Sequence, residues 1–220
     1  MYSEICLQKI CRHKNLRELG LTQNCFTDKD RTVFGSTLLY IVHKIGKVLF
    51  DKDFTMQKNI TEFFNNLNEL SSTERAALSH CVRKYLGEDQ IPGSALAGFY
   101  KSLPVELTED VEPIWFAVAC LSCLWRDSEE LSSEEIPLEE AVAQIIPEVF
   151  PLKHRMELLL KSLQSNDSYF LSSLYPIVQH VRQQSPETRI DFGKLLEDLL
   201  NWENPEHDVQ KRWTKTIAKA

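Results

Sequence analysis

Apolar residues recur along this chain at helical spacing, and alternating apolar–polar runs of strand length are nearly absent. Residues 4–19 read as a short amphipathic helix, and Cys25 to Asp30 as a loop. Thr37 to Phe50 carries Leu38, Ile41, Val42, Ile45 and Leu49 on one face, and Thr55 to Leu70 carries Ile60, Phe63, Phe64 and Leu67. Ser71-Ser72-Thr73-Glu74 has the form of a capping box. It predicts a helix running to Leu86, with Leu78, Cys81, Val82 and Tyr85 inward and Gly87 as its end. Gly87 to Pro113 reads as turn and short helix, punctuated by Pro92, Gly93, Pro104 and Pro113. Ile114 to Trp125 is apolar on all sides, the pattern of a buried helix. The acidic stretch Arg126 to Ile136 reads as a surface loop. Pro137 then opens a helix with Leu138, Ala141, Val142, Ile145 and Ile146 inward, ended by Pro147. Leu152 to Leu163 presents Met156, Leu159, Leu160 and Leu163, and Ser168 to Gln184 follows with Pro176 as a predicted kink.

The C-terminal stretch carries the clearest pattern. Asp191 is placed to cap a helix whose stripe is Phe192, Leu195, Leu196, Leu199 and Leu200. Asn204-Pro205 predicts a break followed by a new helix, with Asn as N-cap and Pro at the first helical position. Val209, Trp213 and Ile217 line its inner face. Lys211, Arg212, Lys215 and Lys219 fall off that stripe and are expected to face water or a partner. The fold class expected is all-α, a compact bundle of roughly eight to ten helices. Residues 1–55 are read as an N-terminal helical extension and residues 56–220 as the main helical domain. No internal repeat of solenoid period is present.

Charge changes this picture little until it is resolved by position. The net charge is −7, but residues 1–60 carry +4, residues 61–152 carry −12 and residues 153–220 carry +1. The acidity is concentrated at Glu106–Glu112 and Asp127–Glu140. The apolar run Val33 to Phe50 is interrupted by His43, Lys44 and Lys47, too charged for a membrane span, and the chain is expected to be cytoplasmic. Six cysteines are present, and a disulfide framework is not expected in such a chain. Cys120-Leu-Ser-Cys123 has CxxC spacing, yet it lies inside the all-apolar helix and is read as core.

Catalytic signatures are missing: the chain has no P-loop, no GxSxG, no HExxH and no paired CxxC. None of the six histidines has a His or Cys partner at i+3 or i+4. Glu134-Glu135 and Glu139-Glu140 read as a solvated loop and helix start, where negative charge suits the helix dipole. No enzyme activity, cofactor or metal is expected. The candidate functional residues are cations on helical faces: Arg75, Arg83 and Lys84; Lys153, Arg155 and Lys161; then Arg182, Lys194, Lys211, Arg212 and Lys215. Converging faces of this kind form a groove that tracks phosphates without reading bases.

Several ordered motifs carry a family resemblance. Leu195-Leu196, Leu199-Leu200, Trp202, Pro205, Val209-Gln210 and Arg212-Trp213 resemble the C-terminal end of the CasB family, the small subunit of type I-E CRISPR surveillance complexes (Cascade). Ser71 to Leu78 resembles the family's first regular helix, Ala97 to Pro104 its turn after an aromatic pair, and Trp115 to Ala119 its buried helix. The resemblance covers about residues 60 to 217. It implies a non-catalytic subunit that contacts CRISPR guide RNA, the target and displaced DNA strands, the backbone and large subunits, and a second copy of itself. Family members are usually strongly basic, and this acidic chain departs from that. The rival reading is an all-helical protein–protein adaptor without nucleic-acid contact, using residues 127–140.

Overall fold

The computed structural model describes residues 55–86, 90–125, 135–147, 150–162 and 164–220. The elements expected at 4–19, 25–30 and 37–50, the helix end at Gly87 and the acidic residues 126–134 lie outside the described residues. Nine helices and two very short strands are present among those described. They are α1 (55–69), α2 (Ser72–Ser79), α3 (Gly93–Ser102), α4 (Glu112–Trp125), β1 (Glu135–Ile136), α5 (Leu138–Ile145), α6 (Phe150–Leu160), α7 (Ser168–Gln184), β2 (Arg189–Ile190), α8 (Phe192–Leu200) and α9 (Asp208–Ile217). The all-α expectation therefore holds.

The all-apolar run forms α4, and its lack of a polar face has a structural cause. Helices α2, α7 and α8 all pack on it, so there is no side left for water. Eleven of its 14 residues are buried, including Cys120 and Cys123, which are core residues as the sequence suggested. Around its first turns an aromatic cluster closes the bundle. The Phe63 ring meets Trp115 edge-on at 4.8 Å, and Phe99 meets Phe116 at 5.3 Å. A second cluster joins Phe170, Trp202 and Trp213 through edge contacts of 5.0 and 5.4 Å. Both tryptophans are fully buried, and the Trp202 indole N–H donates to the Ser162 carbonyl at 3.1 Å.

Local signals set most helix starts. The capping box forms at Ser71, whose backbone N–H donates to Glu74 at 2.9 Å while its hydroxyl accepts from the Glu74 N–H at 3.3 Å. Asp191 caps α8, accepting from the Lys194 N–H at 2.7 Å. Helix α3 lies so close to α2 that a Cβ on Gly98 would come within 3.2 Å of the Glu74 Cβ.

Three boundaries differ from expectation. Helix α2 ends at Ser79, because the chain tightens into i→i+3 turns: the Cys81 N–H reaches Leu78 and the Lys84 N–H reaches Cys81, both at 2.8 Å. Asn204 does not cap α9. Its side chain accepts from the Glu206 N–H at 3.1 Å in a local turn, and α9 begins at Asp208 after His207 in the left-handed region, φ 51°. Glu135–Ile136, read as loop, instead pairs in parallel with Arg189–Ile190, and the Asp191 N–H donates to the Ile136 carbonyl at 2.9 Å. This small ladder fixes the entrance of α5 beside the entrance of α8. Replacing Asp191 by Ala removes the α8 cap. It is expected to lower stability by about 1 kcal/mol, seen as a lower urea midpoint at unchanged slope.

Candidate nucleic-acid interface

With the entrances of α5 and α8 joined by the ladder, and α9 packed on α5, charged side chains from three helices meet. Glu139 lies in the first turn of α5 and Asp198 in α8, and each is only 2% exposed. Arg212 of α9 spans both. Its Nε donates to Glu139 Oε1 at 2.9 Å and its Nη2 donates to Asp198 Oδ2. Asp198 also accepts from the Trp213 indole N–H at 2.9 Å, and the Lys194 ammonium lies 3.4 Å away. Burial pushes the Glu139 carboxyl up, against the opposing pull of Arg212. Burial pulls the Lys194 ammonium down, but its hydrogen bond to Glu197 and the charge of Asp198 outweigh that and raise it.

Arg212 is thus turned onto buried carboxylates instead of facing only water or a partner, and Glu139 is not a solvated helix-start acid. Other predicted cations are engaged in the fold as well. Arg182 donates to the Leu124 carbonyl at 2.7 Å, tying α7 to the end of α4. Arg75 donates to the Asn68 carbonyl at 3.1 Å across the α1–α2 junction. Lys194 is bound to Glu197 at 2.7 Å.

The remaining candidates stand outward. Lys153, Arg155 and Lys161 are exposed on and just beyond α6, and Lys211 and Lys215 are exposed on α9, which packs against α6. Lys153, Arg155, Lys161 and Lys215 enter no ion pair among the described residues. Lys211 only reaches the Glu206 carbonyl. On the other flank, Lys84 donates to the Gln90 carbonyl, and the exposed Arg83 guanidinium stacks 4.5 Å over the Tyr175 ring of α7. Helix α6 packs on α7 too, so α7 lies between the two cationic sets. No group of three His, Cys, Asp or Glu side chains suited to a metal occurs among the described residues.

The helix order and the C-terminal tryptophan cluster frame a comparison with known proteins. Residues 74–216 match the family model for CRISPR-associated protein Cse2. The chain belongs to the Cse2 family. Solved structures carry the same fold. A Cse2-family CRISPR-associated protein of Thermus thermophilus superposes with a TM-score of 0.58 at 23% identity, covering 73% of this chain and 98% of that one. CasB of M. ruber gives 0.58 at 21% identity, covering 73% and 93%. A chain of a CRISPR RNA-guided surveillance complex gives 0.57 at 19%, covering 74% and 94%. A search of curated proteins gives no match. The small-subunit resemblance read from the sequence is therefore correct at the level of family and fold. No helix among the described residues is long and apolar enough to cross a membrane.

In this Cse2-family chain the sequence reading missed the acidic partners of Arg212. A signal existed: Glu139 shares a helical face with Val142 and Ile146, both buried. The triad makes two outcomes testable. Arg212→Ala takes the guanidinium from buried Glu139 and leaves Asp198 only Lys194 and the Trp213 N–H. It is expected to cost roughly 3 kcal/mol in urea unfolding, with Arg212→Lys intermediate because one ammonium cannot fork to both acids. The second concerns pH. Because the folded protein holds the Glu139 proton to higher pH than the unfolded chain, this group favours folding in acid. That contribution is lost as pH rises from the ordinary carboxylate value through the raised one. Unfolding free energies of Glu139→Gln and wild type, measured from acid to neutral pH, should therefore shift in favour of the variant as pH rises.

Proposed function

We propose that this chain is a non-catalytic subunit of a type I-E CRISPR RNA-guided surveillance complex, acting in the cytoplasm and built into the complex beside its backbone and large subunits and a second copy of itself. The observation that carries the reading is the Cse2-family match over residues 74–216, supported by the likeness to a chain of such a complex. Residues 56–220 form the domain that does this work, and residues 1–55 are an extension added to it. In a guide-directed complex, base pairing between guide and target reads the sequence, so a protein subunit need only hold strands by charge. The outward cations of α6 and α9 suit that task. They approach phosphates of the guide–target duplex or the displaced strand without base contacts. The fold-bound Arg75, Arg182, Lys194 and Arg212 contribute less, since each is engaged with a carbonyl or carboxylate of the fold.

Two measurements test the reading. Co-expression with the backbone and large subunits and a guide RNA should give a native mass that includes this chain; a chain that remains alone overturns the proposal. Within that complex, Lys211→Glu together with Lys215→Glu is expected to weaken target-DNA binding about tenfold or more at low salt and to reduce the slope of log K against log salt by about 1 to 2. These positions avoid the Arg212 triad, so folding should be unchanged. An unchanged slope, combined with loss of assembly on deleting only the acidic residues 127–134, which spares the ladder and the triad, would favour a protein-only adaptor.

A further inference from the structure

Two depressions in the surface meet at one side chain. The first lies in the α6–α7 groove and is lined by Arg155, Leu158, Phe170 and Tyr169. The second, about 310 Å³, lies between the turn after α2, the start of α4 and the first turn of α7. Its walls include Arg83, Lys84, Tyr85, Ala117 and Ser172, and again Tyr169. Tyr169 is the most exposed large apolar residue among those described, at 73%, and Leu158 across the first depression is 44% exposed. The backbone beneath the ring is fixed. The Asp167 carboxylate caps α7 by accepting from the Tyr169 N–H at 2.8 Å and the Phe170 N–H at 3.1 Å, so this acid is occupied within the helix end. Arg83 is likewise held in place on Tyr175, one turn and a half further along the same helix.

We propose that Tyr169 is a stacking platform for an unpaired base of a single nucleic-acid strand, whose backbone runs from Arg155 on one side to Arg83 and Lys84 on the other. The inference rests on the subunit reading above and deepens it, by assigning a single strand to the α7 end of the molecule. A rigid aromatic with two side-chain torsions offers a large face at low entropic cost. Cations on both sides supply the phosphate attraction that an isolated ring lacks. The larger depression is at the low end of the ~300–1,000 Å³ range of small-ligand pockets, suited to one splayed nucleotide and too small for a duplex. Arg83 and Lys84 on one element and Arg155 on another, separate in sequence, thereby become two banks of one path.

The test uses the assembled complex with its guide RNA and compares wild type with Tyr169→Ala, Tyr169→Phe and Tyr169→Trp. Tyr169→Ala is expected to weaken target binding roughly 5- to 100-fold while leaving the salt slope unchanged, since a ring and no charge is lost. The Phe and Trp variants, which keep a stacking face, are expected to stay within about twofold of wild type. 2-Aminopurine placed in turn in the displaced DNA strand and in the guide RNA identifies the source of the base. Its fluorescence should be quenched in wild type and recover in Tyr169→Ala in one arm, and that arm names the strand. Equal affinity and equal fluorescence for wild type and Tyr169→Ala, in a complex that assembles and binds target normally, overturn the platform and leave the subunit reading standing. Failure of the chain to enter the complex overturns both. An unchanged thermal midpoint for Tyr169→Ala separates any loss from misfolding.

Discussion

Two carboxylates, Glu139 and Asp198, are almost fully removed from water, and the Arg212 guanidinium compensates both, joined at Asp198 by Lys194 and the Trp213 indole N–H. An unpaired charge in such a place costs several kcal/mol, far more than an ordinary packing defect. The condition is geometric as well as energetic. The start of α5 must come near α8, and α9 must pack on α5 with Arg212 turned inward. The two-residue parallel ladder at Glu135–Ile136 and Arg189–Ile190 satisfies the first requirement, and the buried Trp202–Trp213 pair seats α9 against the turn after α8. A ladder that small has little stability of its own. Its role is to set a register between two helix entrances, so that acids far apart in sequence arrive at one guanidinium.

The triad also explains why positive charge in the C-terminal segment does not translate directly into a binding surface. Arg212 and Lys194 are adjacent to exposed lysines in sequence or space, yet they are drawn toward Asp198 by its low-dielectric surroundings. Lys211 and Lys215 lie further around α9 from the Val209–Trp213 stripe than Arg212 does, and both are exposed. A helix of ten residues thus divides its cations between holding the bundle together and facing solvent, according to how far around the helix each one lies from the Val209–Trp213 stripe.

Much of the fold was legible in the sequence, because the signals concerned are local. The Ser71–Glu74 box, the Asp191 cap and the all-apolar α4 run depend on neighbours within a turn or on the absence of any polar face. Errors arose where distant partners decide. Asn204-Pro205 looked like a helix start, but the Asn204 side chain is used in its own turn, and α9 starts only after His207. The Glu135–Ile136 strand has no local signature, since its partner lies far along the chain at Arg189–Ile190. Among the candidate site residues, neither the family resemblance nor the spacing distinguished a cation facing water from one facing a buried acid. The 139/142/146 spacing placed Glu139 on the apolar face and was the single cue that some basic residue had to come inward.

The same division bears on where a strand would lie. Cations consumed by the fold are fixed in place but partly neutralised; cations left outward keep their full charge but are mobile. A sequence-blind grip on a polyanion tolerates mobility, because phosphates recur at every step and no single contact must be exact in position. A base-stacking contact does not, since a ring must present a face at a fixed height. Tyr169 meets that demand: its backbone is pinned by the Asp167 cap and its helix is anchored through Arg182 to α4. The outward lysines of α6 and α9 meet the looser one. Rigidity and charge are therefore placed on different residues, the arrangement that the proposed strand-holding role requires.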